Sequence, residues 1–417
     1  MDNDEILSKV RNQYERFPYP APDDDLDAFR YHGSYANGCP WHNFHWYWPH
    51  RDRTQDLDIL VAGCGTGQAA KMAFHVPRAR VVAIDLSSES IAHTKRVLAK
   101  YGIGNVEIHE MPLESAGELE KQFDLIVCTG VLHHLPDPAA GLRVLRETLR
   151  PEGSMYLMVY GKYGRDGVYY LQDIMRRLGI TPANATDDDI AAIRELIGLL
   201  PPTHNLRAKL PLMGNLDNAN EIVDLFLHQR DRAYTIPGIL ELLGQCDMKL
   251  QRFVLGAQYL PRFSGLKDSA FYARITELPP PEQWAITEAF RASSLMHFFI
   301  ACHRGRPESS YVVDLHRPEW KTLKPVRNPG VQRIPPDPGD GSAGQLFWRA
   351  QQFPEMRRRI TPLESKLIER STGDRTIAQI VAGIETDLGH GISDDEVLSF
   401  YKDMQDLEYA WFTSASL

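Results

Sequence analysis

Leu57-Asp58-Ile59-Leu60-Val61-Ala62-Gly63-Cys64-Gly65-Thr66-Gly67, followed by Asp85 at the end of the next apolar run, is the stretch that decides the fold. Leu57, Ile59, Leu60, Val61 and Ala62 form an apolar run of strand length. Gly63, Gly65 and Gly67 then turn the chain before a small-residue helix starts at Gln68-Ala69-Ala70. Glycine takes backbone angles closed to other residues and lets a ligand come close to the main chain. Free amides at the helix start attract an anionic group. A second strand, Arg80-Val81-Val82-Ala83-Ile84, delivers Asp85. An acid about 20 positions past such a loop is placed to grip the hydroxyls of a nucleoside ribose.

The glycine spacing discriminates between nucleotides. A dinucleotide fingerprint is G-x-G-x-x-G, and its last glycine would fall on Gln68. The pattern here is G-x-G-x-G, which resembles motif I of the class I S-adenosylmethionine-dependent methyltransferases. The resemblance continues through Leu86-Ser87-Ser88-Glu89-Ser90-Ile91, where Ser87 or Ser88 caps a helix running through Lys100. Val106 to His109 reads as a third strand. The family carries an adenine-binding Asp in the following turn. Here that turn is Glu110-Met111-Pro112-Leu113-Glu114, with Met111 at the Asp position. The adenine would then rest on backbone groups and on Leu86, Met111 and Leu113. Phe123 to Pro138 resembles the family's fourth-strand segment F-D-x-I-x-x-x-x-V-L-H-H-L-x-D-P, with Thr129 and Gly130 at the ligand-binding end of the strand. A helix over 142–150, closed by Pro151 and Gly153, and a fifth strand over 155–160 follow.

The resemblance therefore implies an α/β protein with a Rossmann-like parallel sheet and S-adenosylmethionine as cofactor. It implies cofactor contacts from Gly63, Cys64, Gly65, Gly67, Gln68, Asp85, Leu86, Met111, Pro112, Leu113, Thr129 and Gly130. Thr235 to Leu243 reads as the last helix, with Pro237 in its first turn. Lys249–Leu255 and Met296–His303 read as a terminal antiparallel strand pair.

The remaining segments are organised around this core. Residues 1–50 read as an N-terminal arm: a helix over Ile6–Arg16, the extended Phe17-Pro18-Tyr19-Pro20-Ala21-Pro22, and an aromatic run of Tyr31, Tyr35, Trp41, Phe44, Trp46, Tyr47 and Trp48. A Tyr-x-x-x-Pro-Tyr-Pro segment resembles arms that cover the cofactor pocket in some bacterial methyltransferases, which would make Tyr14 and Tyr19 a roof over the acceptor. The alternative is an arm packed on the sheet edge. Residues 51–305 form the methyltransferase domain, with a helical insertion at about 161–233. Its stretches 169–178, 187–200 and 220–229 are periodic. His204, His228 and Arg232 are its substrate-facing candidates. A Pro/Gly-rich linker over 306–345 leads to a small, mostly helical, winged-helix-like domain over 346–417. That domain suits peptide docking or homodimer formation.

Composition excludes several classes. The chain has 417 residues, a net charge of −9 and 43% apolar residues, so it can bury a large core and offers no broad basic face to nucleic acid. No run approaches the roughly 20 apolar residues of a membrane span. Five scattered cysteines and an acidic N-terminus fit a reducing cytoplasm. Cys39-x-x-His42-x-x-His45 matches no zinc ribbon or finger and sits among large aromatics, so no metal is expected. Transfer of an electrophilic methyl group requires an aligned acceptor, and a base only where the acceptor must lose a proton. His133 is the best-placed base; the alternative is that it braces the pocket wall. The acceptor is a peptide, protein or small molecule. A non-catalytic cofactor-binding scaffold also remains open. A nicotinamide oxidoreductase is disfavoured by Gln68 and by the Gly130–Pro138 turn.

Overall fold

The computed structural model describes residues 3–29, 38–52, 56–337, 339–351, 353 and 356–414; Tyr31 and Tyr35 of the aromatic run, and the His42 side chain, lie outside what is described. Its contacts divide the chain into two units, 1–38 with 56–250 and 288–304, and 39–55 with 251–287 and 305–417.

The seven-stranded sheet comprises β1 (Asp58–Ala62), β2 (Arg80–Asp85), β3 (Val106–Glu110), β4 (Phe123–Thr129), β5 (Leu149–Tyr160), β6 (Met248–Val254) and β7 (Met296–His303), in the order β3-β2-β1-β4-β5-β7-β6; all but residues 251–254 of β6 belong to the first unit. β1 pairs in parallel with β2 and β4, β2 with β3, and β4 with β5, while β7 runs antiparallel to β5. This is the parallel sheet with an antiparallel end that the β-α-β order implies. Strands buried on both faces must be apolar throughout, and Ile59 to Ala62 and Leu125 to Cys128 are fully buried. The order reverses between β1 and β4. A crevice opens at such a switch point, beyond the carboxyl ends of the strands.

Helices α1 (Asn3–Arg16), α2 (Pro40–Tyr47), α3 (Gln68–His75), α4 (Ser88–Tyr101), α5 (Pro138–Glu147), α6 (Asp166–Arg177), α7 (Asp187–Leu199), α8 (Ala219–Phe226) and α9 (Ile236–Gln245) follow in chain order; all but α2 belong to the first unit. Ser87 caps α4 by accepting from the Ser90 amide, and Gly102 closes it in the left-handed conformation. Helix α5 starts at Pro138, earlier than expected, because Asp137 accepts from the amides of Ala139 and Ala140 and Pro138 suits the first helical position. β5 starts at Leu149, also earlier than expected, and absorbs the Pro151–Gly153 turn with a register shift opposite Phe123. In the insertion, α6, α7 and α8 pack Val168, Leu171, Ile190, Ile193, Ile222 and Phe226 into a separate small core. Thr186 and Asp189 form a capping box at the start of α7.

In the second unit, the stretch expected as a linker contains β8 (Lys324–Arg327) and β9 (Val331–Ile334). β9 pairs with β10 (Gln345–Trp348), which pairs with β11 (Arg358–Arg359). β8 pairs with the terminal strand β12 (Ala410–Thr413). Three helices, Pro362–Glu369, Ile377–Leu388 and Asp394–Asp406, lie between β11 and β12 as the sequence suggests. Trp46 stands edge-on to Trp411 at 6.1 Å, and Gln251 donates to the carbonyls of Trp46 and Tyr47. The aromatics of 44–48 are thus core residues of the second unit.

Candidate active site

Gly63 follows β1 with φ 78°, and Gly65 follows with φ 51°. A side chain at Gly63 would enter Val131, and one at Gly65 would lie 2.8 Å from the Tyr19 carbonyl oxygen. Glycine is thus required twice, by backbone angle and by close packing. The Gly65 amide donates to Asp85 Oδ2 at 2.7 Å, and the Ser87 amide donates to Oδ1 at 2.9 Å. Both carboxylate oxygens are thereby fixed in direction. Burial raises the Asp85 pKa above the ordinary carboxylate range, and the backbone amides partly offset this. On the next strand, Gln68 Nε2 donates to Thr129 Oγ1 at 3.0 Å and ties the glycine turn to the end of β4.

These groups line a cavity of about 360 Å³. Gly63, Cys64, Gly65, Gly67, Gln68, Asp85, Leu86, Met111, Leu113, Thr129 and Gly130 all face it, whereas Pro112 does not. The Met111 amide is occupied by the Asp85 carbonyl, so Met111 offers the cavity an apolar side chain. The arm closes one side. Leu7, Val10, Tyr14, Tyr19 and Pro20 line the cavity, and Thr66 Oγ1 donates to the Pro20 carbonyl at 2.7 Å. Glu15 accepts from both the amide and the hydroxyl of Ser88, and Asn220 donates to the Pro18 carbonyl.

A polar network marks the opposite end. His134 and Asp224 line the cavity, and His228 lies with them, its nearest donor atom within 4.8 Å of theirs. The Tyr14 hydroxyl donates to Asp224 Oδ1 at 3.3 Å and the Tyr160 hydroxyl to Oδ2 at 3.2 Å. His134 Nδ1 must carry its proton, because it sits 2.7 Å from the Arg230 carbonyl oxygen; its Nε2 therefore holds a lone pair. His228 is the reverse. Its Nδ1 accepts from the Arg230 amide, so the neutral ring presents Nε2–H to the Tyr14 oxygen at 3.3 Å. A ring so bonded has no lone pair to give a metal; it donates to Tyr14, and the Tyr14 and Tyr160 hydroxyls converge on the Asp224 carboxylate. His134 and His228 stack at 3.7 Å. Burial, then the neighbouring His134, pushes the His228 pKa well below the ordinary imidazole value.

The other expected positions fall elsewhere. His133 is fully buried, does not line the cavity, and has neither ring nitrogen hydrogen-bonded among the described residues. It packs 3.9 Å from the Tyr160 ring, and burial drives its pKa well down. Its ring therefore packs behind the lining rather than into the cavity. His204 is edge-on to Tyr170 and accepts from the Leu206 amide, and Arg232 is exposed; neither reaches the cavity. Sequence reasoning missed Asp224 and Tyr160. The signal for Asp224 was a single acid inside the apolar run Ile222-Val223-Asp224-Leu225-Phe226.

A family model described as a methyltransferase domain matches residues 60–155. An uncharacterized protein of Synechococcus sp. is 28% identical over 243 residues, which cover 55% of this chain and 56% of that one. The ubiquinone biosynthesis O-methyltransferase of Pseudoalteromonas translucida is 27% identical over 133 residues, 32% of this chain and 56% of that one. The chain spans about half the length of these curated relatives. Among solved structures, PKMT2 from Rickettsia typhi in complex with AdoHcy shares the fold, with a TM-score of 0.66 at 15% identity over 91% of this chain and 76% of that one. The family match begins inside β1 and ends inside β5, a span that includes the glycine turn, Asp85 and Thr129, so within residues 60–155 the chain is similar to methyltransferase domains.

Proposed function

We propose that this chain transfers a methyl group from S-adenosylmethionine to a small molecule or a single peptide side chain that reaches the cavity at His134 and Asp224. The observation that carries the reading is Asp85, a partly buried carboxylate inside the cavity whose two oxygens are each oriented by a backbone amide. The donor set fits the cofactor: a ribose diol needs two directed acceptors, and Met111, Leu113 and Leu86 offer an adenine ring apolar surface. When bound, the cofactor supplies an electrophilic methyl group on a sulfonium.

The protein's part is alignment, exclusion of water and proton handling. The arm residues Tyr14 and Tyr19 cover the cavity, and Met158 and Phe298 line it with apolar surface. The base role expected at His133 falls instead to His134. Its Nε2 accepts the acceptor's proton, and the resulting cation is held by the Arg230 carbonyl and the nearby Asp224 carboxylate. An acceptor that enters a cavity fits a small molecule or an extended side chain better than a folded surface.

Calorimetric titration with S-adenosylhomocysteine tests the reading. The wild-type protein binds it, and Asp85→Ala weakens binding by about ten- to a hundredfold, the loss of hydrogen bonds to a charged group. Failure of the wild-type protein to bind would refute the assignment.

A further inference from the structure

Among the described residues lining the cavity, Asp23, Asp85 and Asp224 are acids, and Lys71 is the single Lys or Arg. The cofactor carries two positive groups, a sulfonium and an ammonium, and one negative group, the carboxylate of its methionyl end. The acids suit the ribose and the two positive groups. The carboxylate needs a cation or free donors. Two nearby side-chain donors are already committed: the Thr66 hydroxyl goes to the Pro20 carbonyl and the Gln68 side-chain amide to Thr129.

Lys71 sits one turn into α3, and its amide bonds the Gly67 carbonyl. Its Nζ reaches back over the glycine turn: a Cβ built at Gly67 would lie 4.0 Å from it. The ammonium rests 3.7 Å from the centroid of the Phe29 ring, and the Asp23 carboxylate in the same lining attracts its charge. A cation–π contact steadies a charge without using its N–H donors. The ring contact thus leaves the donors of this half-buried ammonium to a ligand.

We infer that Lys71 receives the carboxylate of the methionyl end, and so selects the intact amino acid over its decarboxylated form. The inference rests on the cofactor reading above, and its test separates the two. S-adenosylhomocysteine, decarboxylated S-adenosylhomocysteine and 5′-methylthioadenosine are titrated calorimetrically into the full chain and its variants. The wild-type protein prefers S-adenosylhomocysteine over the decarboxylated probe by roughly tenfold or more. Lys71→Met abolishes that preference by weakening S-adenosylhomocysteine alone, leaves 5′-methylthioadenosine within about twofold, and Lys71→Arg restores most of the difference. Unchanged S-adenosylhomocysteine affinity in Lys71→Met overturns the inference, as does an equal loss for all three probes. A wild-type protein that binds all three equally overturns the Lys71 role alone. One that binds none overturns the cofactor reading and this role together.

Discussion

At the residue scale, the site separates two adjacent histidines by what each ring nitrogen touches. His134 lines the cavity with one nitrogen fixed as a donor, while both nitrogens of His133 are buried with no hydrogen-bond partner among the described residues. His134→Ala is expected to lower turnover by about a hundredfold or more for an acceptor that must lose a proton, with S-adenosylhomocysteine affinity unchanged. Turnover is read by release of S-adenosylhomocysteine; full activity in the variant would remove the base role. The glycine turn and Asp85 were legible in the sequence because their chemistry is local: a turn, a strand end and a spacing. Asp224 was not, because its meaning comes from Tyr14 and Tyr160, which stand 210 and 64 residues away in sequence. The contrast between His133 and His134 was hidden for a related reason: it depends on the Arg230 carbonyl, 96 residues from His134.

At the element scale, the arm behaves as part of the cavity wall. Arg16 on α1 donates to the carbonyls of Pro182, Ala183 and Ala185 in the insertion, and Glu15 holds the start of α4. Deletion of residues 1–22 removes Leu7, Val10, Tyr14 and Tyr19 from the lining, and S-adenosylhomocysteine binding is expected to weaken by about tenfold or more. Unchanged affinity in calorimetry would reduce the arm to a packing segment. The strands of the Pro/Gly-rich stretch show where pattern reading fails. β8 has Pro325 in its middle and only four residues, so neither length nor alternation announces it. It becomes a strand because β12, more than 80 residues later, supplies the partner, with Asn328 donating to the Glu408 carbonyl just beyond the pairing. The helix starts were legible where a cap is written locally, as at Ser87, Thr361 and Thr376. They were misjudged at Asp137, where the expected start lay a turn too late.

At the scale of the molecule, the buried histidines couple stability to acidity. The folded-state pKa values of His133 and His228 lie well below the ordinary imidazole value, chiefly through burial. Below about pH 6.5 the unfolded chain takes up protons that the folded chain refuses, so their contribution is present at neutral pH and lost as pH falls, about 1 kcal/mol per histidine over the first pH unit. The raised carboxyls of Asp85 and Asp224 act with the opposite sign, favouring the fold at lower pH. The melting temperature is therefore expected to fall between pH 7 and pH 5.5, and His133→Leu to flatten that fall; equal slopes in thermal scans would refute the coupling. Among the described residues no helix is long and apolar enough to cross a membrane. The arm has a further consequence, in time rather than space. Its partners Ser88 and Asp224 stand 73 and 210 residues downstream of Glu15 and Tyr14. A ribosome thus releases the roof long before the walls exist. Until the chain has passed Asp224, Tyr14 lacks the acceptor for its hydroxyl, and the lining itself is complete only once Met296 and Phe298 have followed.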